Sequence, residues 1–209
     1  MPDKIKNKIL VIFAHPALHK SRINIKLRRA IEDLNGITFR DLYEIYPDFL
    51  INVEEEQRLL LEHDIIVLQH PFYWYSSPAI IKEWIDLVLE YGFAYGIEGT
   101  ALKGKSMMTA ISAGGSEDSY KADGVHYYHV RDFLRTFERT AALCNMTYLP
   151  PFVVHHNSEL ATSEDIAVYG DLYRKVIVML RDNEINFDAI SNFKYINDYI
   201  LDQYESWSV

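Results

Sequence analysis

A single cysteine, Cys144, is all that 209 residues offer. One thiol makes no internal disulfide and no cysteine-rich zinc site, and it suits a reducing cytosol. Basic residues are also scarce. Twenty-one Lys and Arg stand against 30 Asp and Glu, for a formal charge of −9. Such a chain has no surplus cation to neutralise a nucleic-acid backbone. A single small phosphate is not excluded, because one helix N-terminus and a few donors suffice for it. No stretch reaches the roughly 18 apolar residues of a membrane span. The N-terminal MPDKIKNKILVIFAHP has only a short apolar run, so it does not read as a signal peptide. Neither GxxxxGK[ST] nor GxGxxG occurs, which disfavours a mononucleotide triphosphatase and a classical NAD-binding fold.

What is abundant is aromatic: 15 Tyr, 10 Phe and 3 Trp. The hydrophobic share of 49% against 24% charged is that of a folded chain, and the length suits one domain. Lys8–Ala14 reads as a strand buried on both faces. Ser21–Leu34 reads as a helix capped by Ser21 and stopped at Asn35-Gly36. Ile37–Leu42 is a short strand. Asn52–Glu62 is a helix with acids in its first turn. Asp64–Gln69 is a strand, and Pro78 opens a helix running to about Tyr91. Lys105–Ser112 is a fourth strand, Tyr128–Asn145 a helix, Thr147–Val154 a fifth strand and Ser163–Arg181 a long helix. Apolar strands alternating with helices predict an α/β sandwich: a parallel sheet of order 2-1-3-4-5 with helices on both faces. Residues 1–182 form that domain. Residues 183–209 form an aromatic tail carrying Phe187, Phe193, Tyr195, Tyr199, Tyr204 and Trp207, expected to pack on its own domain or on a partner subunit.

Ligands of such sheets lie beyond the carboxyl ends of the strands. Three loops fall there. HPALHKSRIN places His15, Ser21 and Asn24 beside a helix N-terminus, suited either to an anion or to plain capping. HPFYWYSSP sets four aromatics nearly in a row, a wall for a flat ring or a hydrophobic plug. SAGGSEDSYKADGVH brings Gly114-Gly115, whose backbone approaches a ligand closely, and then Tyr120 and His126 as hydrogen-bond donors. Phosphate site, apolar wall and N–H-rich loop together suit a flavin mononucleotide. His126, His129, His155 and His156 hold no carboxylate at metal-site spacing, so a metal hydrolase is disfavoured. Lys82, Glu83 and Asp86 read as a solvated helix face, Trp84 as core and Cys144 as a packed thiol. Tyr127 and Tyr128 read equally as a substrate wall or as a helix start.

The motifs VIFAHP (11–16), SRIN (21–24), RDLYEIYPDF (40–49), QHPFYWYSSPAIIKEWID (69–86), GFAYGIEGTALKGK (92–105), SAGGSE (112–117) and YLPPF (148–152) carry a resemblance. The chain resembles the NAD(P)H:quinone oxidoreductase family of flavodoxin-like flavoproteins. It is most similar to the short bacterial branch that includes the ancillary oxidoreductase of the glutathione-gated potassium efflux system. The resemblance implies FMN, with FAD as the alternative, and NAD(P)H as reductant. His15, Ser21, Arg22, Ile23 and Asn24 then take the flavin phosphate and ribityl chain. Phe72, Tyr73, Trp74 and Tyr75 lie along the isoalloxazine. Ser112, Ala113, Gly114 and Gly115 meet its N1/O2 edge, with Ala113 replacing a common Thr, and Tyr120 and His126 stabilise the reduced ring. It further implies ping-pong hydride transfer to quinones, an NAD(P)H dehydrogenase (quinone). It implies a homodimer with the active site near its interface, and a cytoplasmic protein peripheral to the membrane only through a transporter partner. A regulatory subunit of that transporter is the alternative function.

Overall fold

The computed structural model describes residues 6–155 and 163–205, apart from the side chains of 163–165 and 204–205. Among the described residues six parallel strands form one sheet: β1 (Ile9–Phe13), β2 (Ile37–Asp41), β3 (Ile65–Pro71), β4 (Ser106–Ala113), β5 (Thr147–Tyr148) and β6 (Phe152–His155). Their order is β2-β1-β3-β4-β5, with β6 also paired to β4. The fold is the expected flavodoxin-like α/β sandwich.

The expected single strand over 147–154 is broken in two. Thr147 and Tyr148 pair with Ser106 and Met107, whereas Phe152–His155 pair with Ala110–Ala113. Pro150 and Pro151 stand between them. Proline has no N–H to give the ladder, so pairing lapses there and then resumes along the same neighbour.

Alternate strand residues feed opposite faces, because side chains in a strand have period two. Leu10, Ile12, Ile66, Leu68, Met107 and Ile111 pack on one side with Leu60, Trp84 and Phe137. Ile9, Val11, Ile65, Val67, Met108 and Ala110 pack on the other with Leu27, Ile31, Val176 and Leu180. The strands are thus buried on both faces, as their unbroken apolar runs require.

The helices are α1 (Arg22–Ile31), α2 (Leu42–Ile45), α3 (Val53–Glu62), α4 (Ala79–Val88), α5 (Val130–Phe133), α6 (Arg135–Leu143), α7 (Ser163–Arg181), α8 (Phe187–Ile190) and α9 (Ile196–Glu205). Several ends differ from the periodicity. Pro78 is the N-cap of α4 rather than its first residue. That helix stops at Val88, where the Gln57 side-chain amide donates to the Val88 carbonyl at 3.0 Å and so supplies a terminal partner. The helix expected over 128–145 is divided at Leu134, whose N–H bonds to Arg131 one residue early and whose side chain stays in the core. Helix α1 ends at Ile31, and Leu34 closes a further turn onto it.

Residues 183–205 return to the domain. Ile190, Ile196, Tyr199 and Ile200 are buried beside Val176 and Leu180. Tyr195 is buried on the opposite side. Helices α8 and α9 lay hidden in sequence: α8 has only four residues, too few for a period, and both depend on the faces they dock against. Tyr204's side chain and Trp207 lie outside the described residues.

Candidate functional site

The carboxyl ends of β1, β3 and β4 border a cavity of about 390 Å³. The first loop contributes His15, Ala17, Lys20, Ser21, Arg22 and Ile23; the second contributes Pro71, Phe72 and Tyr73; the third contributes Ser112, Ala113 and Gly114. Ile166 of α7 also lines the cavity.

One corner is built by Asn24. Its backbone N–H donates to Ser21 Oγ at 3.2 Å, and its side-chain amide donates to the same oxygen at 3.0 Å. Both acceptor sites of that hydroxyl are thereby used, so Ser21 has only its O–H left to offer. The same amide donates to Ser112 Oγ at 2.8 Å, which inclines that hydroxyl toward donation as well. Asn24 is fully buried behind the lining, and its Oδ1 has no partner among the described residues. Lys20 and Arg22 add positive charge at the start of α1, where helix N–H groups also point. These donors converge as an anion requires.

His15 is buried, and that burial holds its imidazole below the usual histidine range. Its Nδ1 accepts the Ala17 N–H at 3.1 Å, which assigns the ring proton to Nε2. The His15 ring meets Tyr73 edge-on. Phe72 is buried, and its N–H is tied to the Ser112 carbonyl at 2.8 Å. A Cβ at Gly114 would meet nothing within 4 Å, so the chain there borders open space.

Trp74 and Tyr75 form a tight turn between Tyr73 and Ser76, with φ of 49° and 62°. Bulky side chains pay strain for this left-handed conformation. Trp74 is 91% exposed and is not part of the cavity wall. Tyr75 leans instead toward His126, its hydroxyl 3.3 Å from Nδ1. His126 stacks on Tyr120 with ring centroids 4.1 Å apart. Burial raises the Tyr120 hydroxyl above its ordinary pKa, and so does Tyr75. Gly124 permits this loop: a Cβ there would lie 2.4 Å from the Asp118 carbonyl. Gly115 abuts the Tyr120 ring.

The structure therefore brings His15, Ser21, Arg22, Ile23, Phe72, Tyr73, Ser112, Ala113 and Gly114 onto one cavity. Asn24 stands behind it. Trp74, Tyr75, Gly115, Tyr120 and His126 stand beside it rather than on its wall. Lys20 and Ile166 were not singled out by sequence. Lys20 lay within the selected loop, whereas Ile166 reaches the site only through packing of α7. Tyr127 and Tyr128 are exposed, Trp84 and Cys144 are buried, and Lys82 pairs with Asp86 on an exposed face. Burial raises the Cys144 thiol. No group of three or more metal-ligating side chains occurs among the described residues; His156 lies outside them.

The described pieces fit a flavin mononucleotide. A donor-only Ser21 and a helix terminus suit a phosphate, Phe72 and Tyr73 suit a flat ring, and the open Gly114 backbone suits a polar ring edge.

The chain is similar to known proteins. Residues 7–176 match a family described as having a flavodoxin-like fold. The glutathione-regulated potassium-efflux system ancillary protein KefG of Pectobacterium atrosepticum is 47% identical over 167 residues, covering 78% of this chain and 91% of that protein. General stress protein 14 of Treponema denticola, solved in complex with FMN, superposes with a TM-score of 0.79 at 37% identity. That match covers 83% of this chain and 99% of the other. An NADPH-quinone reductase of P. pentosaceus gives a TM-score of 0.67 at 34% identity, over 78% and 95% of the respective chains.

Proposed function

Because the chain belongs to the flavodoxin-like family, among the quinone reductases near KefG, we propose that it is a flavin-dependent NAD(P)H:quinone oxidoreductase. The observation that carries this reading is Asn24, which turns Ser21 into a pure donor at the mouth of α1 and cross-links it to Ser112. The FMN in the Treponema relative supports FMN over FAD.

A bound flavin supplies two-electron hydride chemistry, in alternating turns with NAD(P)H and a quinone. The protein's part is to hold and to polarise. Ser21, Lys20, Arg22 and the first N–H groups of α1 bind the phosphate, with Ile23 and Asn24 setting the turn. Phe72 and Tyr73 exclude water from the ring. The backbone at Ser112, Ala113, Gly114 and Gly115 offers donors where negative charge develops. Tyr120 and His126, stacked and reached by Tyr75, are proposed to donate hydrogen bonds to that charge. The exposed Trp74 is left for the nicotinamide or the acceptor.

In this reading the core through residue 182 carries the site, 183–209 is an addition to it, and the exposed aromatics Trp74, Tyr127 and Tyr128 belong to a homodimer interface near the active site. Sedimentation of the purified chain tests the dimer.

The KefG likeness favours a second role, as a cytoplasmic ancillary subunit of a potassium-efflux transporter. No helix among the described residues is long and apolar enough to cross a membrane, so membrane attachment in that role falls to the partner. Co-purification with membranes would support it.

Extraction of the bound cofactor and its identification by chromatography test the main reading. The purified chain is expected to be yellow and to oxidise NADPH or NADH with a quinone. A colourless chain that takes up no flavin overturns it.

A further inference from the structure

The C-terminal segment lies beyond the residues matched by the family, 7–176, yet it is fastened to the ligand end of the sheet. Asn197 accepts the Val153 N–H at 2.9 Å and donates to the Val153 carbonyl at 3.0 Å, pairing with the free edge of β6. The Ile196 N–H bonds to the Pro151 carbonyl, and Arg131 holds the Phe193 and Lys194 carbonyls. These bonds seat Tyr195 over His155, the last residue of β6, with ring centroids 5.7 Å apart. The Tyr120 ring is 5.8 Å away on another side.

Both ring nitrogens of His155 and the Tyr195 hydroxyl are buried, and no side chain among the described residues hydrogen-bonds them; the hydroxyl faces the Val130 backbone. The His155 ring faces the Gly115 backbone. Four other described groups face it: Glu117 and Tyr120 from the loop after β4, Lys194 from the tail, and His129 ahead of α5. Burial holds the imidazole below the usual histidine range, Lys194 and His129 act in the same direction, and Glu117 and Gly115 act against them. Its burial thus favours the neutral imidazole behind the Gly114–Gly115 turn. New negative charge at that turn favours its protonated form.

We propose that His155, roofed by Tyr195, takes up a proton when negative charge builds at the Gly114–Gly115 turn and releases it when that charge leaves. The proposal rests on the flavin reading above. The hydride donor brings two electrons and one proton. The proton at His155 is a second one, drawn from water, and it returns to water once the acceptor has taken the electrons. His155 is a positioning residue, since it acts through the turn.

Histidine NMR on the flavin-loaded full chain, oxidised and dithionite-reduced, reads this directly. His155 is expected to titrate below the ordinary range when oxidised and clearly higher when reduced. Between those two values, reduction in weak buffer takes up close to one more proton per flavin than in His155→Gln. Tyr195→Phe, which keeps the roof, retains the shift. Tyr195→Ala, which removes it, raises the oxidised-state value and shrinks the uptake. An identical titration in both redox states, or unchanged uptake in His155→Gln, overturns the proposal. If that variant does not fold, the parent titration decides alone. A chain that binds no flavin overturns this proposal together with the functional reading, whereas bound flavin with an unresponsive His155 overturns this one only.

Discussion

The Asn24 side-chain amide donates to Ser112 Oγ at 2.8 Å, joining the first turn of α1 to the end of β4 across 88 positions of sequence. It orients two cavity hydroxyls while staying out of the cavity itself. Asn24→Ala removes both side-chain bonds, each contributing about 0.5–1.5 kcal/mol. Flavin affinity is expected to fall about tenfold or more by fluorescence titration. Asn24→Asp has no amide to donate and adds negative charge, so its loss is larger. Unchanged affinity in both variants contradicts the role.

Trp74 is exposed and strained, so its contribution lies outside folding. Trp74→Gly relaxes the left-handed backbone, a gain of about 1–2 kcal/mol offset by glycine's entropy. Urea unfolding should stay within about 1 kcal/mol of the parent, while KM for the acceptor or nicotinamide rises. A large loss of stability would mean that the indole is a packing anchor.

Gly124 is required by the close approach of the Asp118 and Ser119 carbonyls. Gly124→Ala must displace the loop that stacks His126 on Tyr120. Flavin binding is expected to survive, because the cavity wall lies elsewhere, and stopped-flow flavin reduction is expected to slow. Normal reduction would remove Tyr120 and His126 from the mechanism.

His70 is fully buried, and that burial pushes its imidazole down to about 4. Between that value and the ordinary 6.5 the unfolded chain binds the extra proton, so stability rises with pH through this window and falls as pH drops. The full contribution is about 3 kcal/mol. Urea denaturation of His70→Gln at pH 7 and pH 4 should show a correspondingly smaller acid loss. An equal loss in both proteins would refute it.

Glu56 is buried on the inner face of α3, where it accepts from Arg40, from the Tyr46 hydroxyl at 2.9 Å and from the Trp84 indole at 2.9 Å. Glu56→Ala strands a guanidinium and two further donors, so a loss of about 3–5 kcal/mol is expected. Adding Arg40→Met should recover part of it, since an unpaired charge costs more than an apolar replacement. Calorimetry of the single and double variants checks this.

Much of the sheet was legible because local patterning dictates it. Runs such as ILVIF and IIVLQ suit only a strand buried on both faces, and Ser21 and Asn52 cap the helices they precede. The three ligand loops followed from topology alone. Pro150-Pro151 was visible in sequence, but whether it ends a strand or merely interrupts one depends on the neighbour, and β4 continues past it. Tail helices α8 and α9 were not legible, because their helicity depends on the hydrophobic faces they dock against.

The sequence by itself determined a parallel α/β sandwich and which loops gather at its carboxyl edge, since hydrophobic period and strand order are local and topological properties. Only the tertiary structure decided that Asn24 works behind the cavity, that Ile166 reaches it, that Trp74 turns outward and that Tyr195 covers His155. Those relationships join residues from separate elements, and side-chain direction across such distances is set by packing rather than by any neighbour in the chain.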